Sequence, residues 1–310
     1  MTPGVSERGP AAWTIWAWVG LMVTLWSMNP AIGKIALEEL PPLLLIAVRT
    51  SIAAVAVSIA YILWPGVRRK VAAEDWPKLL LLGPVLQVGN QVAFIQGLSY
   101  TTVAHSAFIF SLVPILVLLM AASRGQEGIS GLKLVGMAIS ISGVVLLTRD
   151  RGLGEPTLLG DGLTMVAVAM FSTFTVLGKQ MRRRYGPVLI NLVAYVGAGL
   201  AFQPLIWGWY GPAGYVGLSW RAWGALLYMA ILSAVAGYLI YYWALRYVEA
   251  SRLAAVQYLQ PPLATAFGIL MLGESVSAAL LLAGAVILSG VVITERAPQR
   301  AVKDATIGGR

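Results

Sequence analysis

The chain has 310 residues, of which 58% are hydrophobic and only 11% charged, with a mean hydropathy of +0.78 and a formal net charge of +9. A soluble domain carries about a quarter charged residues to cover itself with water-compatible groups, so this composition excludes an ordinary soluble fold. The basic residues lie between long apolar runs rather than on one polar face, which argues against nucleic acid as a partner.

Cysteine is absent and His105 is the single histidine. Disulfides, a thiolate nucleophile and a His- or Cys-ligated metal are therefore not expected, and neither is a cofactor. Eleven Trp and twelve Tyr suit the membrane–water boundary and apolar cavities. The first eleven residues show no basic start, short apolar core and cleavage site, so the first apolar segment reads as a retained span.

A helix rising about 1.5 Å per residue needs about 20 apolar residues to cross a hydrocarbon core of roughly 30 Å. Ten segments of the chain meet that length. The first, 12–33, carries Trp26 and Asn29, and the second, 42–64, holds Arg49 about two turns in. Arg49 reads either as the counter-charge for a substrate carboxylate or as an arginine that snorkels or ties helices near the outer boundary. The third, 77–97, has Asn90 and Gln91 near its middle and Phe94 beyond them. Such amides either bind a polar ligand or bridge helices.

The fourth segment, 102–122, starts near His105 and includes Phe110, Ser111 and Pro114. His105 reads as a hydrogen-bonded packing residue ahead of a proton shuttle. The fifth is 131–149, and the break from Asp150 to Thr157 then divides the chain almost in half. The sixth, 158–179, contains Phe174; the seventh is 187–210, and the eighth, 221–244, contains Tyr238 and Tyr242. The ninth, 251–272, places Gln257, Tyr258 and Gln260 beside Pro261 and Pro262, and 276–294 is the tenth. Proline frees the carbonyl four residues earlier, and freed carbonyls persist at membrane depth only where protein, water or substrate satisfies them. That polar cluster is the leading candidate for cavity lining. The aromatic candidates, Trp26, Phe94, Phe110, Phe174, Tyr238 and Tyr242, would form an apolar or cation-binding wall.

With the N-terminus inside, 17 of the 22 basic residues fall in inner segments and four in outer ones, with Arg49 inside a span. The positive-inside rule then puts both termini in the cytoplasm.

A shift of 147 residues aligns the two halves without a gap, pairing Pro114 with Pro261, Glu127 with Glu274, and Ser142-Gly143-Val144-Val145 with Ser289-Gly290-Val291-Val292. From Leu98 to Arg149, 15 of 52 positions are identical under this shift. Each half, 1–150 and 151–310, holds five spans, so the second copy enters the membrane from the opposite side. Inverted repeats of this kind serve alternating access around a central site. Pro114 and Pro261 are the expected hinges. Glu127 and Glu274 occupy short turns before helices, where a carboxylate favours the helix N-terminus, and read as structural.

These residues resemble the drug/metabolite transporter superfamily, in its EamA-type branch of two five-helix repeats. Trp26, Lys34, Arg49, the run Leu98 to Ala104, Pro114 and Glu127 carry the first-repeat signature. Ala244 to Tyr247, Gln260-Pro261 and Leu272-Gly273-Glu274 carry the second. The resemblance implies an exporter of amino acids or other small metabolites, with a small-molecule substrate and the lipid bilayer as partners. It is compatible with a monomer in the cytoplasmic membrane. The competing classes are an integral membrane enzyme and a non-transporting membrane subunit. With one His, no Cys and no acid at midspan, a hydrolytic or metal site lacks parts.

Overall fold

The computed structural model describes residues 10–124, 128–147, 156–211, 216–244, 247–248 and 256–297, except the side chains of Lys179, Arg182, Leu205, Tyr242 and Gln257. Among the described residues, eight helices are long and apolar enough to cross a membrane. They are α1 (Ala12–Leu37), α2 (Pro42–Leu63), α3 (Ala73–Leu98), α4 (Val103–Ser123), α6 (Leu158–Gly178), α7 (Arg183–Tyr210), α8 (Trp220–Tyr241) and α10 (Ala278–Arg296). Two shorter apolar helices, α5 (Gly131–Leu147) and α9 (Gln260–Leu272), stand where the fifth and ninth spans were expected. Residues 148–150 and 251–255 of those spans lie outside the described residues.

The outside of this bundle is apolar. Trp13, Trp209, Trp220 and Leu270 are each at least 75% exposed, an arrangement that suits lipid and not water. Polar side chains such as Arg49, Gln87, Asn90, His105 and Asp161 point inward instead. In its first turn α7 is kinked at Gly186, whose φ of +74° suits a residue without Cβ.

Several local irregularities recur at equivalent places in the two halves. α4 is interrupted at Ser111–Leu112 and restarts at Val113, with Pro114 in its first turn. α9 starts at Gln260 after a 3-10 turn over Gln257–Leu259, with Pro261 in its first turn. Both prolines thus sit where a missing N–H costs no helical bond, and Val113 and Gln260 are themselves related by the shift of 147. Likewise α3 widens into a π-helix over Leu81–Val88 and α8 over Tyr228–Ala236. π-helical segments are rare and gather at functional sites.

α5 and α10 form the tightest seam. A Cβ on Gly136 would stand 2.6 Å from the Gly290 carbonyl oxygen, and one on Gly143 would stand 2.7 Å from the Ile287 amide nitrogen. The hydroxyl of Ser140 donates to the Ile287 carbonyl at 3.1 Å. Early residues of α5 meet late residues of α10, so the pair runs antiparallel. Small residues let backbones approach this closely in lipid, where hydrophobicity alone does not drive helices together.

The helix ends are tied across the bundle in matching ways. The Ala72 amide, before α3, donates to the Tyr185 hydroxyl at 3.2 Å. Before α8, the Ser219 amide donates to Glu39 Oε2 at 2.8 Å, and its hydroxyl donates to Oε1. These bonds from the Ser219 side chain and amide, with Arg221 nearby, hold the Glu39 carboxyl below its ordinary value of 4.5. A lowered folded value means that the tie contributes above about that pH and is lost as pH falls through the folded value. Melting temperatures of wild type and Glu39→Gln are therefore expected to differ slightly at pH 6 to 7, and to converge below about pH 4, the exposed site keeping the difference small.

Candidate functional site

The candidate site is a buried polar cluster between α2, α3, α7 and α8, closed on one side by α1. At its centre is Arg49, 5% exposed, with Tyr195 and Tyr238 as the phenols that act on its charge. Among the described residues Arg49 makes no hydrogen bond or ion pair.

Around it the π-helical stretch of α3 presents Gln87, whose Nε2 donates to Asn191 Oδ1 at 2.6 Å. One turn on, Gln91 Nε2 donates to the Tyr195 hydroxyl at 3.2 Å. From α1, the Trp26 indole N–H donates to the carbonyl of Ser233, within the π-helical stretch of α8, at 3.1 Å. The Trp26 ring meets Tyr238 edge-on at 5.2 Å and Tyr241 at 5.7 Å. A crevice of only about 10 Å³, room for about one water, lies beside these groups, lined by Asn191, Tyr195 and Tyr238 with Val57, Ala60 and Val235 among its apolar walls.

The cluster has unused hydrogen-bonding capacity. Asn29 Oδ1, Thr50 Oγ1, Gln87 Oε1 and Gln91 Oε1 are buried and accept nothing among the described residues. A buried polar atom without a partner costs about 1–3 kcal/mol, and an unpaired buried guanidinium costs several. One buried cation and several unpartnered acceptors thus lie in this part of the bundle.

Of the residues singled out in the sequence, Asn29 is half-buried on α1, while Trp26, Arg49, Gln91 and Tyr238 stand in this cluster. Others do not. Asn90 Nδ2 donates to the Ala167 carbonyl at 2.6 Å and bridges α3 to α6 instead of lining a cavity. Phe94, Phe110, Phe171 and Phe174 form a separate string of rings with centroids 5.5, 5.7 and 6.2 Å apart in turn. The Ser111 hydroxyl donates to the Phe108 carbonyl at 2.6 Å, a local bond at the break in α4. Tyr258 packs beside Phe110 and Val113, its hydroxyl approaching the Glu295 carboxylate without completing a hydrogen bond. Gln260 is half-buried in the first turn of α9. The side chains of Gln257 and Tyr242 lie outside the described residues.

Sequence reasoning missed Gln87, Asn191 and Tyr195. The signal was present: Asn191 and Tyr195 are one turn apart on an otherwise apolar segment. It also missed Asp161, a buried carboxylate in the first turn of α6 that pairs with His105. Glu274 acts as expected of a structural carboxylate, its Oε1 accepting the Val103 amide at 2.9 Å, at the start of α4. Glu127 lies outside the described residues.

The sequence pattern of the EamA-like transporter family matches residues 13–149 and again 158–296. A protein of Archaeoglobus fulgidus described as an uncharacterized transporter is 26% identical over 284 residues, 91% of this chain and 98% of that protein. The "Probable terminal-alkyne amino-acid exporter" of Streptantibioticus cattleyicolor is 25% identical over 300 residues, 96% of this chain and 98% of its own length. The "Probable amino-acid metabolite efflux pump" of Escherichia coli K12 is 26% identical over 295 residues, 88% of this chain and 92% of its own. One crystal structure superposes with a TM-score of 0.60 at 19% identity, covering 91% of this chain and 96% of the other, and so shares the fold. Two matches to one family pattern, spanning most of the chain on an all-helical apolar bundle, mean that this chain belongs to the EamA-like transporter family.

Proposed function

We propose that this chain is a secondary transporter that exports amino acids or similar zwitterionic metabolites across the cytoplasmic membrane by alternating access. Ten crossings in two inverted five-helix halves, 1–150 and 151–310, with both termini in the cytoplasm, are the architecture of this reading. The observation that carries it is Arg49, buried without a partner among the described residues. Buried charges inside a membrane are rare and mark substrate or ion pathways.

A substrate carboxylate would take the planar guanidinium fork. The substrate ammonium would donate to lone amide oxygens such as those of Asn29 and Gln91, and its apolar part would lie against Trp26 and Tyr238. Both halves contribute to the cluster, so one chain suffices for a complete site. The exporter names of two relatives favour the outward direction.

The α5–α10 seam supports the inverted arrangement through its reciprocity. Gly136 meets Gly290, the counterpart of Gly143, while Gly143 meets Ala283, the counterpart of Gly136. Ser140 bonds to Ile287, its own counterpart, 147 residues on. Such exchange of roles between antiparallel helices is the contact pattern of a two-fold axis perpendicular to both. In a membrane that axis lies in the plane of the bilayer, as inverted repeats require.

Proteoliposomes holding the purified protein, loaded with each of a panel of labelled amino acids, test the reading. Release of at least one zwitterion well above protein-free liposomes is expected, competed by related zwitterions and not by the corresponding amines that lack the carboxylate. Equal competition by amine and amino acid would remove Arg49 from substrate recognition.

A further inference from the structure

Away from the cluster around Arg49, the bundle buries a second ionisable group. The imidazole of His105, in the first turn of α4, places Nδ1 3.3 Å from each carboxylate oxygen of Asp161, in the first turn of α6. His105 is 1% exposed and Asp161 6%. Thr101 donates its hydroxyl to Asp161 Oδ1 at 2.8 Å. The pair joins a helix of the first matched repeat to one of the second.

Holding α4 to α6 does not require this pair. The same two ends are already joined by the Thr157 amide and hydroxyl, which donate to the Tyr100 carbonyl at 2.9 and 2.8 Å. The end of α3 also meets α6 through glycine, since a Cβ on Gly97 would stand 2.9 Å from the Gly160 carbonyl oxygen. A buried ion pair is a weak source of stability, because desolvation offsets most of the attraction. Two titratable groups thus stand at a seam that uncharged contacts also hold. What the pair adds is an exchangeable proton.

The geometry points to His105 and Asp161 as the site that binds a coupling proton during the transport cycle, an inference that rests on the transporter reading above. With one proton between the two groups, an uncharged imidazole donates to the carboxylate and the pair carries one negative charge. A second proton, taken on the ring, makes an imidazolium–carboxylate pair of zero net charge. The change of one unit is confined to a buried site that the two side chains share. Among the described residues, the other charges at this end of α4 are Glu274, bonded to the Val103 amide, and Lys34 of α1, which acts on Glu274. Proton binding at the outer ends of α4 and α6 would then set how firmly those ends close, while the substrate occupies the cluster around Arg49. Occupied by its proton, the pair favours closure; emptied, it leaves an uncompensated charge that favours opening.

Because His105 is the single histidine, labelling with ¹⁵N-histidine gives one imidazole in the whole chain. The full-length protein, purified without a histidine tag, is titrated by NMR in detergent. The ring is expected to take up a proton within the pH range over which transport is assayed, and Asp161→Asn to displace that uptake. A ring fixed in one state from about pH 5 to 9 would overturn the assignment. In proteoliposomes, His105→Gln is expected to keep substrate exchange at equal pH within about threefold of wild type. Accumulation driven by a pH gradient should fall to the level without a gradient. Gradient-driven accumulation equal to wild type would overturn the coupling role. If His105→Gln does not fold, Asp161→Asn supplies the same two measurements. Should the wild type move no amino acid while its imidazole titrates, the transporter reading fails and the proton site stands; the reverse pair of results separates them the other way.

Discussion

Replacing Arg49 by methionine is expected to abolish amino-acid transport and, in the same protein, to raise its melting temperature. The two effects share one cause. Arg49 is buried among Tyr195, Tyr238 and apolar neighbours with no anionic partner among the described residues, so in the empty protein its charge is desolvated and uncompensated. Replacing a buried charge with an apolar side chain of similar volume removes that penalty, and comparable changes stabilise by about 1–4 kcal/mol. A gain of several degrees in detergent is the measurable result. When substrate binds, the carboxylate supplies the missing partner, and truncating one side of a buried charge pair costs about 2–5 kcal/mol. That corresponds to a loss of roughly thirtyfold to several thousandfold in affinity. Arg49→Lys keeps the charge and loses the planar fork, so binding should fall about tenfold without the gain in stability. A structural role for Arg49 predicts the opposite sign: methionine would lower the melting temperature, and transport would decline only in step with the amount of folded protein. The combination of higher stability and lost function is the trade-off expected where a site is held ready for a ligand.

The positions of the helices were legible because lipid imposes a length on each apolar run, which composition alone reveals. The third span starts earlier than expected, at Ala73, because the chain enters it through a 3-10 turn that carries Glu74 and Asp75. An apolar count does not register such a turn. Within the helices, Trp26 and Arg49 stood out because polar or amphipathic groups are conspicuous in apolar runs. Asn90 and Gln91 show where that signal stops. Adjacent residues point about 100° apart on a helix, so one amide bonds Ala167 of α6 and the other Tyr195 of α7. No feature of the sequence says which of the two faces the cluster.

The repeat, so useful for architecture, misdirects attention from the site. Asn191 and Tyr195 align with Leu44 and Val48 in the first half, and Arg49 aligns with Val196. The polar groups of the cluster are those the symmetry does not share, and a search for matched residues passes over them. His105 and Asp161 are 56 residues apart in the chain and belong to different repeats. Their contact follows from the packing of α4 against α6, which neither periodicity nor spacing encodes.

The seam between α5 and α10 carries the other large expected effect. A Cβ placed on Gly290 would stand 2.5 Å from the Ser140 amide nitrogen, with the Gly136 carbonyl oxygen pressed against it as well. Those are backbone atoms of a facing helix, so no side-chain rotation relieves the contact and the helices must separate. Gly290→Ala is therefore expected to destabilise by about 1–3 kcal/mol, and Gly143→Ala, whose Cβ would meet the Ile287 amide nitrogen at 2.7 Å, by a similar amount. Gly131→Ala, where a Cβ meets nothing within 4 Å, serves as the control and should change stability by no more than about 0.5 kcal/mol. The double variant distinguishes one seam from two separate contacts. Gly143 and Gly290 are equivalent positions, and displacing the helices to admit one methyl makes room for the other. Their combined effect should fall short of the sum of the singles by more than about 0.5 kcal/mol. Strict additivity in thermal unfolding would mean that the two methyls are accommodated independently, and the reciprocal register of α5 on α10 would then not describe the seam.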